Sequence, residues 1–593
     1  MLSGRDHTHD TWDDVREASS DGGFFARRGR GGSGGGDDFG QRVWLLSVAL
    51  VVAFVVVVGR LAYWQLIRGP ALAKEAEQHR QNTVRIAARR GTIYDRNGNV
   101  LAMSQECRTI YCNPQEISEP YLTAEVLAEA LDGDSLDFID ALTADTTFSY
   151  IRRQVDKEVA LNIRDTLTER KLPGIYLLPD SRRIYPYGAV GGQVLGIVGI
   201  DGDGISGLEL KYDELLSGKD GEMIIETGLG GVPIAGAAAD VTEATDGTDI
   251  VISLDINVQR VAEEQIVAGV RQYKADSGSV MVTDPQTGEI LAACSTPLLD
   301  ASDLSVVEEG ATSLKLVSDS YEPGSIFKVL TASIGIENGF VTPSSSFYVP
   351  AYVQVGDDMV GDDDDRYYDM NMTLREILRR SSNTGAALVA QDHIGADAFA
   401  AGVEAFGIGQ LTGIDYPGEV TGIVKARNEY DGSSVGSMSF GQGLAIPLVQ
   451  MVRAIGAVAN HGVANTPHFL VRKGLDPAEW PEGEAIVSAS TASQVVDMMR
   501  TVVEEGTGVP AQVEGYDVAG KTGTGEVADT DKGGYVKDKY TSSLIGFAPA
   551  ADPDVMVYVG LNGTPYLATD SAAPLFSSIM KEALTDMGVL PAS

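Results

Sequence analysis

Two kinds of hydrophobic pattern divide the chain. The first is an unbroken apolar run: Val43–Val58 holds a single polar residue, Ser47, and the run reaches Trp64 if Arg60 extends its charge to an interface. Trp44 and Trp64 stand twenty residues apart, about 30 Å of helix at about 1.5 Å per residue, which matches a bilayer core with a tryptophan at each edge. A cleaved signal peptide would have a shorter preamble and a small-residue cleavage site, and neither is present. The pattern predicts one membrane-spanning helix over 43–64. Basic residues flank it on both sides (Arg27, Arg28, Arg30 and Arg42 before; Arg60, Arg68 and Lys74 after). A single early span ahead of a large domain is the signal-anchor layout, so the tail is expected inside the cell.

The second kind of pattern is periodic. Residues 89–93 alternate into an Asn97-Gly98 turn, and Val100-Leu101-Ala102 return from it as a hairpin. Asp95 and Arg96 beside that turn read as a structural ion pair. Leu122–Leu131, Glu158–Arg170 and Leu208–Leu216 carry helical periodicity. An acidic Ala/Gly-rich stretch, Ala235–Asp249, reads as a linker. Beyond it come a strand, Ile250–Leu254, and a helix from Asn257 with Asp255 as cap. Ser279–Thr283 and Glu289–Ala293 flank a turn at Asp284-Pro285-Gln286-Thr287-Gly288. The chain then reads as largely helical from Ser325 to about Gly407, with the acidic run Gly356–Asp365 as solvated surface. Strands near Asp517–Thr522, Ser542–Phe547 and Val555–Leu561 and a helix over Ala573–Met587 complete it.

This organisation gives a disordered tail (1–42), a span (43–64), a mixed α/β domain (65–249) and a larger domain (250–593). Charge narrows the function. With 84 acidic against 45 basic residues and a net charge of −39, nucleic acid is excluded as a partner, because phosphate neutralisation needs clustered cations. Cys107, Cys112 and Cys294 are too few for a disulfide framework and read as free, buried thiols. The six histidines show no ligand spacing, so no metal is expected. Asp201-Gly202-Asp203-Gly204 invites a calcium loop, but Ile205 and Tyr212 stand where oxygen ligands would be needed. The shortage of histidine also points a serine enzyme towards lysine as its base.

Three short motifs carry the chemistry. Ser325 and Lys328 in Tyr321–Ala332 lie one helical turn apart behind Pro323-Gly324, so hydroxyl and amine can touch at a helix start. Ser381-Ser382-Asn383 sits between two helical patterns and can aim a hydroxyl and an amide into one cleft. Lys521-Thr522-Gly523-Thr524 places an amine and two hydroxyls along a strand edge, without the spacing of a phosphate loop. Each alone also fits a helix cap or a surface lysine.

Together, S-x-x-K, S-x-N and K-T-G in this order resemble the penicilloyl-serine transferases. R-G-x-I-Y-D-R-N-G at 90–98, R-x-Y-P at 183–186, G-x-x-G-L-E at 204–209 and D-P-x-T-G-x-I-L-A at 284–292 are similar to class B penicillin-binding proteins, and Y-E-P-G-S with S-S-N to their division-type (septal or spore-cortex) branch. The resemblance implies an α+β multidomain protein. It has a single N-terminal transmembrane helix, a mixed α/β pedestal of the dimerisation type, and a transpeptidase domain. That last domain has a five-stranded antiparallel sheet, helices on both faces and an all-helical subdomain.

The resemblance further implies a peptidoglycan DD-transpeptidase, acylated by β-lactams, with no cofactor. Ser325 would be the nucleophile and Lys328 its base, neutral because a second cation lies nearby in a partly dry pocket. Ser381 and Asn383 would relay the proton and hold the substrate amide, with Lys521 poised across the cleft. Thr522, Gly523 and Thr524 would bind the substrate carboxylate, and the N–H groups of Ser325 and Thr524 would form the oxyanion hole.

The implied partners are stem peptides, the membrane, a shape-elongation-division-sporulation (SEDS) family polymerase and other division proteins. The catalytic domain is expected outside a single-pass cell membrane. The alternatives are an elongation-type relative, a β-lactamase, and a β-lactam-binding sensor or scaffold. A class A lactamase needs an E-x-x-x-N element, but Glu404, Glu419 and Glu429 are followed four residues on by Ile408, Ile423 and Ser433. Sensors of this type carry several spans.

Overall fold

A computed structural model of the chain describes residues 37–69, 81–226, 240–364, 366–528 and 535–591. The contacts divide it into two units: Met1–Asn82 with Ile225–Ala238, and Thr83–Ile224 with Ala239–Ser593. The first carries the apolar helix, Asp37–Ala62, which continues as a π-helical segment over Tyr63–Arg68. Arg42–Arg68 is long and apolar enough to cross a membrane, and Trp44 and Trp64 are both exposed on it. The helix thus begins inside the expected tail, so 37–42 are helical; residues 1–36 lie outside the described residues.

In the second unit the long strand Val100–Cys112 pairs antiparallel with Ile175–Ile184 along its length and with Ser149–Asp156 on its other side. Helices Pro120–Leu131, Leu136–Leu142 and Lys157–Glu169 accompany this sheet. Ala160, Ile163 and Leu167 recur at spacings of three and four on the last helix and enter a core with Ile110, Leu127 and Phe138. The predicted hairpin forms between Ile93–Tyr94 and Val100–Ala102.

The ion pair expected beside that hairpin does not form. Asp95 is buried and accepts the backbone N–H of Asn97 and Asn99 at 2.9 and 2.8 Å, closing the turn, while Arg96 pairs with Glu289. Two further expectations need correction. The linker expected over 235–249 is not one where it is described: Asp240–Thr242 is a strand, Thr245 exchanges two backbone hydrogen bonds with Lys219, and Gly247 donates to the Arg89 carbonyl, while 235–239 lie outside the described residues. The described residues within 346–373 are not helical. They form two hairpins, Ser346–Val349 with Met370–Thr373 and Tyr352–Val355 with Asp358–Gly361.

Ile250–Ile252 joins the pedestal to the larger domain. It pairs parallel with Ile93–Tyr94 and antiparallel with Leu470–Lys473, so one sheet runs across the expected 249/250 boundary.

The larger domain is built on a five-stranded antiparallel sheet. Its strands are β1 (Ser277–Thr283), β2 (Ile290–Ser295), β3 (Ala519–Ala528), β4 (Tyr535–Ala548) and β5 (Val555–Thr564), in the order β2-β1-β5-β4-β3. Alternation along each strand feeds two separate cores. Val280, Val282, Val557 and Val559 pack with helices α1 (Ile256–Gln272) and α6 (Ala572–Asp586). Met281, Met556, Tyr558, Ile545 and Phe547 face the other way, into a core shared with α2 (Lys328–Glu337) and α5 (Ala489–Glu505). A sheet buried on both faces explains why its strands are nearly continuous in apolar residues.

Candidate active site

The three motifs arrive from three elements. Ser325 lies in a 3₁₀ turn, Gly324–Phe327, that runs directly into α2, and Lys328 begins that helix. The turn packs on edge strand β3, which supplies Lys521, Thr522, Gly523 and Thr524. Close approach fixes Gly523: a Cβ there would stand 2.4 Å from Ser543 Oγ and 3.0 Å from Ile326 Cγ2.

Ser381 ends helix α3 (Leu374–Arg380) in the left-handed region at φ +61°, and the chain restarts as α4 (Asn383–Leu388). Ser382 caps α4 through the Gly385 N–H at 3.0 Å. The helix-cap reading therefore holds for Ser382, while the kink at Ser381 turns its hydroxyl and carbonyl towards the lysines.

Lys328 Nζ lies 2.8 Å from Ser325 Oγ, 2.6 Å from the Ser381 carbonyl, 2.7 Å from Asn383 Oδ1 and 3.3 Å from Ser381 Oγ. Lys521 Nζ reaches the same Ser381 hydroxyl at 2.8 Å and the Thr522 carbonyl at 2.8 Å. Ser325, Lys328 and Lys521 are 3, 2 and 0 % exposed. Burial pushes the Lys328 amine down to about 8, against the opposing pull of Asp363 and Asp362. Burial, reinforced by repulsion from Lys328, pushes Lys521 well below the usual lysine range, with Asp363 opposing.

The Ser381 carbonyl and Asn383 Oδ1 accept and cannot donate. A neutral Lys328 that spends its two N–H groups on them keeps its lone pair for a hydroxyl, and Ser325 Oγ at 2.8 Å is nearer than Ser381 Oγ at 3.3 Å.

Thr522 Oγ1 meets Thr507 Oγ1 at 2.6 Å, and Thr524 Oγ1 accepts the Ala568 N–H at 3.4 Å, so both hydroxyls line the same strand edge. Among the described residues no cluster suits a metal ion. The five catalytic candidates thus converge, and Thr522, Gly523 and Thr524 flank them on β3.

The sequence reading missed the neighbours of this cluster. Asp362, read as part of a solvated loop, has a side chain only 5 % exposed. It accepts from Ser382 Oγ at 2.9 Å, from the Thr384 N–H and hydroxyl at 3.0 Å each, and from Arg366 at 3.0 Å. Asp363 Oδ1 accepts from Asn383 Nδ2 at 2.9 Å. An arginine directly after four consecutive aspartates, Arg366 after Asp362–Asp365, was the available signal.

A hydroxyl in contact with a buried amine, which shares a second hydroxyl with another buried amine, has the parts that serine–lysine acyl transfer needs. The model of the penicillin-binding protein transpeptidase domain matches residues 278–581 and that of the penicillin-binding protein dimerisation domain residues 85–252. The chain belongs to the class B penicillin-binding proteins, the D,D-transpeptidases.

It is 31 % identical to Stage V sporulation protein D of Bacillus subtilis over 569 residues, covering 92 % of this chain and 86 % of the relative. Against the peptidoglycan D,D-transpeptidase FtsI of Escherichia coli K12 it is 30 % identical over 562 residues, covering 93 % and 92 %. The crystal structure of penicillin-binding protein 3 from Mycobacterium tuberculosis complexed with ampicillin superposes with a TM-score of 0.66 at 27 % identity, covering 86 % and 97 %.

Proposed function

We propose that the protein cross-links peptidoglycan stem peptides through an acyl-enzyme on Ser325, in septal wall synthesis during cell division. The observation that carries this reading is the set of partners around Lys328 Nζ, which leaves a neutral amine one lone pair with Ser325 Oγ, 2.8 Å away, as its nearest hydroxyl. Lys328 removes the hydroxyl proton as Ser325 Oγ bonds to the carbonyl carbon of the penultimate D-Ala. Developing charge on the carbonyl oxygen is met by the Ser325 and Thr524 N–H groups. The peptide C–N bond then breaks. Ser381, bridging both amines, hands the proton to the leaving terminal D-Ala, while Asn383 holds the substrate amide. Thr522 and Thr524, across Gly523, bind the terminal carboxylate. An amine from a neighbouring stem attacks the ester, Ser325 regains its proton, and the cross-link is released.

Burial keeps Lys328 from holding its proton too tightly, and repulsion from Lys328 makes Lys521 the more easily neutralised of the two amines. A β-lactam enters the same centre as a D-Ala-D-Ala mimic and remains on Ser325. The relative solved with ampicillin supports this. The septal role is supported by the Y-E-P-G-S and S-S-N forms at Ser325 and Asn383. The apolar helix supports a single-pass anchor in the cell membrane with the tail inside and the catalytic domain outside. A SEDS-family polymerase and other division proteins are the partners this placement implies.

The full-length protein in detergent, given a stem pentapeptide ending in D-Ala-D-Ala and an amine acceptor, is expected to release D-Ala and form the cross-linked product. Ser325→Ala should do neither while keeping its thermal transition. Release of D-Ala by that variant would sink the mechanism. A fluorescent fusion distributed along the side wall and absent from the septum would sink the septal assignment alone.

A further inference from the structure

The acidic segment beside the S-x-N motif is fastened to it residue by residue. Asp362 is held by Ser382, Thr384 and the buried Arg366. Arg366 in turn donates to the carbonyls of Val349, Pro350 and Tyr368 and to Thr384 Oγ1. Asp364 pairs with Arg380 at 2.7 Å, one residue before Ser381. Asp363, between these two anchors, accepts from Asn383 Nδ2 at 2.9 Å, and the Gly361 carbonyl takes the second amide proton at 3.3 Å. The opposite end of that amide, Oδ1, receives Lys328 Nζ at 2.7 Å. One short path therefore runs from the Asp363 carboxylate through the Asn383 amide and Lys328 to Ser325.

Orientation follows from this arrangement. Rotated by half a turn, the Asn383 amide would set its N–H₂ against the Lys328 amine and its oxygen against a carboxylate, opposing like with like at both ends. Resting on the Ser325–Lys328 mechanism proposed above, we infer that Asp363 is a positioning residue for acyl transfer. It locks the Asn383 amide with its oxygen on Lys328, and its negative charge governs how readily the buried amines surrender a proton. Charge and hydrogen bond act in opposite directions on rate. The bond holds the acceptor that frees the Lys328 lone pair, while the charge favours the protonated, non-nucleophilic state.

Among the described residues, the charged groups around Lys328 are few. Lys521 faces it from β3, and Asp362 and Asp363 face it from the acidic segment, while Arg366 and Arg380 are each paired with an aspartate of that segment. Among the described residues, Asp363 is the one carboxylate that opposes the burial-driven lowering of both lysines. Asp362 is tied to Arg366, which compensates its charge.

The test is the pH profile of acylation of the full-length protein by a fluorescent penicillin between pH 6 and 9.5, for wild type, Asp363→Asn and Asp363→Ala. The wild-type rate should rise towards a plateau with a midpoint near 8. Asp363→Asn keeps a carbonyl acceptor for Asn383 and loses the charge. Its plateau should stay within about twofold of wild type, and its rising limb should move down by about half to one pH unit, making it about three- to tenfold faster at pH 6.5. Asp363→Ala loses the acceptor as well and should have a plateau lowered by about tenfold. A merely structural role would leave the rising limb of Asp363→Asn where it is in wild type.

Superimposable wild-type and Asp363→Asn profiles would overturn the inference, as would an undiminished plateau in Asp363→Ala. If Asp363→Ala does not fold, the limb of Asp363→Asn decides alone. Failure of the underlying mechanism looks different: wild type would not label, or Ser325→Ala would.

Discussion

Glu209 offers a demanding test of what holds the pedestal together. Its carboxylate is 0 % exposed and receives Arg90 Nε and Arg183 Nε, both at 2.6 Å, from side chains that are themselves 6 and 4 % exposed. Arg90 has a second partner in Asp213 at 2.6 Å, and Arg183 otherwise donates to the Gly91 carbonyl at 2.8 Å. Glu209→Gln keeps the shape but offers one oxygen, and its new N–H₂ confronts a guanidinium. Arg183 is then a buried cation with no carboxylate. Removing one partner of a buried ion pair costs about 3–5 kcal/mol. At about 2–4 °C per kcal/mol for domains of about 150–250 residues, the melting transition should fall by about 6 °C or more.

The companion variant Glu209→Gln/Arg183→Met removes the stranded charge. It should recover part of the loss, so the two substitutions together cost less than their sum. Urea unfolding of wild type, both singles and the double closes the cycle. A Glu209→Gln loss under about 1 kcal/mol, or strict additivity, would refute the argument that this carboxylate neutralises two buried arginines.

Three further outcomes are expected from the geometry. Glu263 accepts from the Gly191 N–H and Gln259 Nε2, and burial pushes its carboxyl up to about 7, so the folded state binds a proton more tightly than the unfolded chain. Stability from this group is complete below about 4.5 and is lost as pH rises through about 7. Thermal melts should therefore find Glu263→Gln more stable than wild type at pH 8, and this advantage should disappear at pH 5. Ser381→Ala removes the hydroxyl that both amines address and should slow penicillin acylation by about 10²-fold or more, measured by stopped-flow, with folding unchanged. Thr522→Val breaks the 2.6 Å contact with Thr507 and removes a carboxylate donor, and a concentration series should show about tenfold weaker substrate affinity with a smaller effect on the maximal rate.

The parts that were legible in the sequence are those written in local pattern. The apolar run around Val43–Val58 and the helical turn linking Ser325 to Lys328 are such cases. So are the alternating strands that put Val280 and Val282 on one face and Met281 on the other. What could not be read depends on partners distant in the chain. Ile250–Ile252 looks like any short strand, and nothing local says that it pairs with residue 93 on one side and residue 470 on the other.

The acidic run misled for a physical reason. Four consecutive aspartates are ordinarily solvated, but Arg366, buried behind them, takes Asp362, and the hydroxyls of Ser382 and Thr384 and the Asn383 amide need acceptors. Similarly, Asp95 and Arg96 are adjacent and opposite in charge. The turn's unpaired N–H groups claimed the aspartate first, and Glu289 was left for the arginine.

In the proposed mechanism Ser325 carries the acyl group. Intact mass spectrometry of the full-length protein after exposure to benzylpenicillin, followed by peptide mapping, addresses it without relying on turnover. The predicted result is one penicilloyl group per chain, found on the peptide containing Ser325 and missing from Ser325→Ala. An adduct on another peptide, or one that persists in Ser325→Ala, would contradict it.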